Sequence, residues 1–222
     1  NRYMETFPNW SPDGKYLYYC SARVPDEIDL TLPDSIKSFH FVANYQKLYY
    51  NLMRMSFNPQ DRTFGKPEVV VDASSKERSI TFPRVSPDGR YVLYAQGNYG
   101  QFHIWHKSSD LWVKDLVADT CYTLRRASSS DVDSYHSWSS NGRWMVFSSR
   151  RDDGLYTRPY IGYMDAEGNP KKAFMLPQEA PKDYYTELLY SYNIPELITG
   201  EVDLEPREVG DWVWSDDVIK VK

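Results

Sequence analysis

The chain has 222 residues, with 26 Lys and Arg against 31 Asp and Glu, a formal charge of −5. That balance, without a basic stripe, argues against a nucleic acid or an anionic membrane surface as partner. Apolar residues at 41% are enough for a core, and no apolar run reaches the ~20 residues of a membrane-spanning helix. Aromatics make up 16% of the chain, alongside 14 prolines and 11 glycines, which points to an all-β fold with many turns.

A segment recurs three times without gaps. The first copy is Phe7-Pro8-Asn9-Trp10-Ser11-Pro12-Asp13-Gly14 and the second Phe82-Pro83-Arg84-Val85-Ser86-Pro87-Asp88-Gly89. The third is Tyr135-His136-Ser137-Trp138-Ser139-Ser140-Asn141-Gly142. Each is followed by a basic residue, an aromatic residue and an apolar strand. In Ser-Pro-Asp-Gly the Ser opens a type I turn, Pro pre-sets φ at the next position, and Gly takes the position needing φ > 0. Each unit therefore begins with a β-hairpin.

Further strands complete each unit. In the first, residues 47–55 and 68–71 flank a turn at 58–65. In the second, 110–116 and 121–124 flank Ala118-Asp119, and in the third 159–164 and 172–176 flank residues 165–169. Four strands per unit, with 43 residues in the third, match the roughly 40–45 residues of a propeller blade. The excess length lies between the second and third strands. Residues 21–46 form one insert and 96–109 a shorter one, and both should emerge on one face of the ring. The 21–46 insert has little periodicity and is expected to be the most mobile part of the blades. Gly89 is expected to be the demanding turn glycine and Gly97 the tolerant one.

The repeat resembles the PD40 motif of TolB-like β-propellers across residues 6–177. The resemblance implies an all-β propeller of four-stranded antiparallel blades, with three blades at about 1–75, 76–130 and 131–177. TolB-like rings usually have six. The chain opens on Asn1-Arg2 with neither an initiator Met nor an apolar leader, so missing blades upstream, or a second copy, are expected to complete the ring. Residues 178–222 form a tail. Tyr185, Leu188, Leu189 and Tyr192 predict a short helix over 182–191, followed by loop over 200–210 and an edge strand or arm over 211–221.

The sequence contains no Gly-x-Ser-x-Gly, His-Glu-x-x-His or phosphate-binding glycine loop. No catalytic, cofactor or metal residue is assigned. Cys20 and Cys121 read as buried free thiols. His136 replaces the repeat proline and either faces the channel or is satisfied by a backbone carbonyl. His103 and His106 would share a metal only on a helix or tight turn, and Gly97 and Gly100 point to a loop instead. Tyr99, Phe102 and Trp105 form a partner or sugar platform, or else plug the ring. Arg150 and Arg151 occupy the equivalent loop of the third blade, where Arg150 is expected to pair with a neighbouring blade's carboxylate.

The candidate contact set is therefore Tyr99, Phe102, His103, Trp105, His106, His136, Arg150 and Arg151. The resemblance implies a non-catalytic, protein-binding scaffold, periplasmic or outer-membrane-associated, with no cofactor. Two alternatives stand beside it: an accessory propeller of a larger enzyme or haem-type redox protein, and carbohydrate binding.

Overall fold

A computed structural model describes residues 2–215. Its frame is three antiparallel sheets. The first contains β1 (Tyr3–Trp10), β2 (Tyr16–Arg23), β3 (Tyr50–Asn58), the short β4 (Thr63–Phe64) and β5 (Glu68–Val71). The second runs β6 (Ser79–Val85), β7 (Tyr91–Gly97), β8 (Asp110–Asp115) and β9 (Thr120–Thr123). The third runs β10 (Asp133–Trp138), β11 (Trp144–Ser149), β12 (Arg158–Tyr163) and β13 (Phe174–Met175). The sheets stand side by side: β6 packs on β1, β2 and β3, and β10 packs on β6, β7 and β8. These are three blades of a β-propeller, each meeting the next through its innermost strand.

The turn chemistry of the repeat is visible atom by atom. In the first copy Gly14 N donates to Ser11 O at 2.9 Å, Tyr16 N donates to Ser11 Oγ at 2.9 Å, and Ser11 Oγ donates to Asp13 Oδ1 at 2.7 Å. The third copy reproduces the set with Asn141 in place of Asp, Ser139 Oγ donating to Asn141 Oδ1 at 2.7 Å. Losing Pro and Asp thus leaves the turn intact, because the amide oxygen accepts the same bond. Gly14, Gly89 and Gly142 have φ of 70°, 74° and 65°, the left-handed backbone that selects glycine.

A second repeated feature was not legible in the motif. The leading aromatic of each copy has a left-handed backbone, with φ of 54° at Phe7, 52° at Phe82 and 48° at Tyr135. At each of them the pairing of the first two strands slips by one residue. These are β-bulges, which sharpen the twist of the innermost strand and re-aim one side chain. They turn the rings into a row along the inner strands, Phe7 to Phe82 at 4.2 Å and Phe82 to Tyr135 at 4.5 Å between centroids.

The core lies between blades. Tyr18, Cys20, Tyr50 and Leu52 of the first sheet meet Ile80, Val92 and Tyr94 of the second. Leu93, Leu111 and Val113 of the second meet Met145, Phe147 and Tyr160 of the third. The middle blade is consequently buried on both faces, and β7 is buried at nearly every position. β1 alternates between exposed and half-buried instead, because the outer face of its sheet is open. A cleft of about 660 Å³ lies on that open face, lined by Tyr3, Tyr19, Met53 and Val69 among others.

The opposite flank is covered by the tail. α2 (Pro181–Glu187) and the segment after it lie against the third sheet, where Ser148 Oγ donates to Asn193 O and Ser137 Oγ donates to Pro195 O at 2.8 Å. The expected helix over 182–191 is cut short. Leu188 has extended backbone, and the carbonyls of Tyr185, Leu188 and Tyr190 all accept from the Arg158 guanidinium at 2.9, 3.1 and 3.0 Å. A buried guanidinium supplies stronger partners than another helical turn would. Leu189 consequently points to solvent rather than onto the sheet.

Three further expectations change. The loop expected over 200–210 gives way at its end to α3 (Pro206–Trp214), with proline at its start and Glu208 in its first turn, both favourable to helix initiation. Residues 211–214 are therefore helical rather than extended, and the rest of the expected edge strand lies outside the described residues. The 21–46 insert contains α1 (Asp34–Ala43) and a single 3₁₀ turn at Tyr45–Lys47, and it buries Val24 and Ile28. Cys20 is buried, but Cys121 is exposed, because β9 is the outermost strand of its sheet.

Candidate functional site

The connections between second and third strands, and those from each blade to the next, all leave the sheets at one end. Two of them carry the inserts, and these are bolted together. Tyr45 Oη accepts from Gln101 N at 2.9 Å and from Phe102 N at 3.0 Å, and Gly100 N donates to Leu48 O at 2.8 Å. Ser79 Oγ donates to Gly100 O at 2.6 Å and ties the second insert to its own sheet. Gly100 has φ of 69°, and a Cβ there would lie 2.2 Å from Tyr45 Cζ, so the close approach requires glycine. Tyr99 and His106 complete the joint against the Tyr45 ring, at 5.8 and 6.0 Å.

The eight candidate residues separate into distinct roles. His103 and Trp105 lie in one turn of 3₁₀ helix rather than open loop. His103 is fully buried, its Nδ1 within 3.0 Å of Thr81 Oγ1, and burial together with neighbouring His106 pushes its pKa down to about 3. A Cβ on Gly97 would come within 3.2 Å of His103 Nε2, a tight contact to which the imidazole would have to yield, whereas Gly89 has the left-handed φ expected of it. His106 is half-buried, and burial lowers its pKa as well. His103 and His106 have ring centroids 5.5 Å apart, yet among the described residues no group of three or more His, Cys, Asp or Glu is placed to hold a metal.

His136 is also fully buried. Its Nε2 donates to Leu93 O at 3.1 Å, and burial, reinforced by Arg84, pushes its pKa down to about 3. His103 and His136 therefore offer no surface to a partner and act as neutral struts inside the blades.

The ion pair expected of Arg150 is made by Arg151. Arg151 makes the ion pair, at 2.6 Å to Asp133, and also donates to Ala127 O at 2.7 Å. Its carboxylate belongs to the same blade rather than a neighbouring one, and burial raises the Asp133 pKa even though Arg151 opposes the shift. Arg150 pairs with no carboxylate among the described residues. Its guanidinium lies over the Trp105 ring, 3.9 Å from the centroid, which joins the third blade's loop to the second blade's insert.

Among the charged side chains exposed at this end, such as Lys107 and Asp34, large apolar ones also point outward. Phe102 is 54% and Trp105 69% exposed, and the first insert adds Phe39 at 75% and Val42 at 78% on α1, positions the sequence reading did not single out. Their signal was present as a three-residue spacing through Ile36, Phe39 and Val42, legible only once 34–43 is recognised as a helix.

No family model matches the chain, and no curated protein matches it in sequence. Solved structures do resemble it. An oligogalacturonate lyase in complex with manganese has 16% identity and a TM-score of 0.53, over 80% of this chain and 43% of that one. TolB from Acinetobacter baumannii has 14% identity and a TM-score of 0.46, over 77% of this chain and 31% of its own. The β-propeller domain of the Trilobed protease from Pyrococcus furiosus has 14% identity and a TM-score of 0.44, over 81% and 45%. The chain thus spans less than half of each of these proteins. The likeness to the lyase concerns the fold alone, and it agrees with the three propeller blades described above. No helix among the described residues is long and apolar enough to cross a membrane.

Proposed function

We propose that this chain supplies a non-catalytic, protein-docking face of a TolB-like propeller of the cell envelope. The observation that carries the reading is the exposure of Phe39, Val42, Phe102 and Trp105 on two inserts that the Tyr45 hydroxyl holds together. Large apolar side chains at the tip of a mobile loop would collapse onto the sheet. Held outward by hydrogen bonds to backbone, they form a preorganised surface whose ordering cost falls before a partner arrives. Aromatic anchors of this kind dominate protein interfaces.

Site-specific photo-crosslinking tests the proposal. Benzoylphenylalanine placed at Phe39 and at Trp105 of the full-length protein in its own cells should trap one shared partner species. The same probe at Val117, which lies on the turn at the other end of the sheets, should not trap it. Adducts that are absent, or equally frequent from Val117, contradict the reading.

A further inference from the structure

The three arginines Arg150, Arg151 and Arg158 of the third blade differ in one respect. Arg158 is 2% exposed and spends its guanidinium on three carbonyls, and Arg151 spends its own on Asp133, Ser149 and Ala127. Arg150 is 8% exposed, yet its Nε is buried with no hydrogen-bond partner, and no carboxylate among the described residues lies within ion-pair distance. Burying an N–H without an acceptor is costly, and the terminal Nη groups, which are not among the sealed atoms, are the donors that an acceptor from outside can reach. The face of the guanidinium is occupied by the Trp105 indole. Its terminal in-plane N–H edge matches a planar, two-oxygen acceptor.

We infer that Arg150, backed by Trp105, is a carboxylate-recognition site on the docking face, and that its ligand is a carboxylate of a partner polypeptide. The inference rests on the docking role proposed above and names the chemistry that the face recognises. A carboxylate is favoured over a phosphate group by the charges nearby. Asp131 and Asp153 both act on Arg150, and a doubly charged anion would be repelled by both. Asp131 is itself engaged by Lys107 at 3.6 Å and by Val132 N at 2.8 Å. The exposed Phe102 and Trp105 suit a carboxylate flanked by apolar residues. Both a chain terminus and an Asp or Glu side chain present this chemistry.

The test is a titration of the full chain labelled with ¹⁵N at arginine and tryptophan. The probes are acetyl-Leu-Glu-Leu-amide, acetyl-Leu-Gln-Leu-amide, acetyl-Leu-Gln-Leu with a free carboxylate, and inorganic phosphate. The Arg150 Nε–H and Trp105 indole signals should shift saturably with one or both carboxylate peptides. The neutral amide should leave them unmoved, and which acid acts identifies a side chain or a terminus as the source. Arg150→Lys, which keeps the charge and loses the fork, should weaken binding about tenfold, and Arg150→Gln should abolish it. Equal shifts with the neutral peptide, saturation by phosphate alone, or an Arg150–Asp131 bond in the free protein would overturn the inference. Should the carboxylates fail while Trp105 crosslinks persist in Arg150→Gln, the carboxylate site is wrong and the docking face stands.

Discussion

Replacing Tyr45 by Phe removes one oxygen and keeps the ring, so its consequences can be worked out closely. The hydroxyl accepts two backbone donors, Gln101 N at 2.9 Å and Phe102 N at 3.0 Å. Each bond contributes about 0.5–1.5 kcal/mol net, so the pair is worth about 1–3 kcal/mol, with the partly buried Gln101 N left unsatisfied. The packing of the ring on Tyr99 and His106 survives, as does the Gly100 N bond to Leu48 O, so the loss is confined to the second insert. Amide exchange at Gln101 and Phe102 should accelerate by about 5- to 150-fold, which is that free energy expressed as a ratio, while β7 and β8 keep their protection. Unchanged exchange at both amides, or an equal loss across the whole second blade, would show that the hydroxyl does not hold the insert.

Other consequences follow from the same geometry. Gly100→Ala drives a Cβ into the Tyr45 ring and should cost about 2–4 kcal/mol, whereas Gly89→Ala meets nothing within 4 Å and costs only about 1–2 kcal/mol of left-handed strain; equal melting temperatures would refute the close approach. Arg158→Met strips the bonds to Tyr185, Leu188 and Tyr190, so chymotryptic cleavage across 184–192 should speed up at least about tenfold, and an unchanged rate would mean that the tail is held otherwise. His136 has a pKa of about 3 in the folded chain against an ordinary 6.5, so its contribution is complete above pH 6.5 and fades as pH falls toward 3. Between pH 7 and 5 that loss amounts to about 2 kcal/mol, which His136→Gln should remove; an unaltered pH slope in urea unfolding would contradict it. The uncovered first-blade flank should drive association, and Val69→Glu on that face should suppress the concentration dependence of sedimentation; a wild-type chain that stays monomeric at all concentrations would argue against it.

Much of the frame was legible in the sequence because hairpin turns are local chemistry. Ser, Pro, Asp and Gly at fixed offsets define a turn without reference to the rest of the chain, and three copies in register give three sheets. The bulges at Phe7, Phe82 and Tyr135 were hidden, since a left-handed aromatic goes against local preference and exists only because a neighbouring blade receives the ring. Tail and inserts were read less well for a related reason. Leu188 fits a helical stripe, but Arg158, thirty residues earlier, takes its carbonyl. Of the candidate site residues, Phe102 and Trp105 are exposed, while His103 and His136 are polar residues committed to the interior. Burial of a histidine depends on partners far away in sequence, Thr81 and Leu93 here, which no spacing rule announces.

Oxidative footprinting of the full-length protein, in its cells and after purification, tests the docking face most directly. Phe39, Phe102 and Trp105 should be labelled readily in the purified protein and several-fold less in the cell, where a partner covers them. Trp144, beside the third repeat turn at the other end of the sheets, should be labelled alike in both. Equal labelling of Phe39, Phe102 and Trp105 in the two states would contradict the account, because a face built to receive a protein would then be bare where that protein is present.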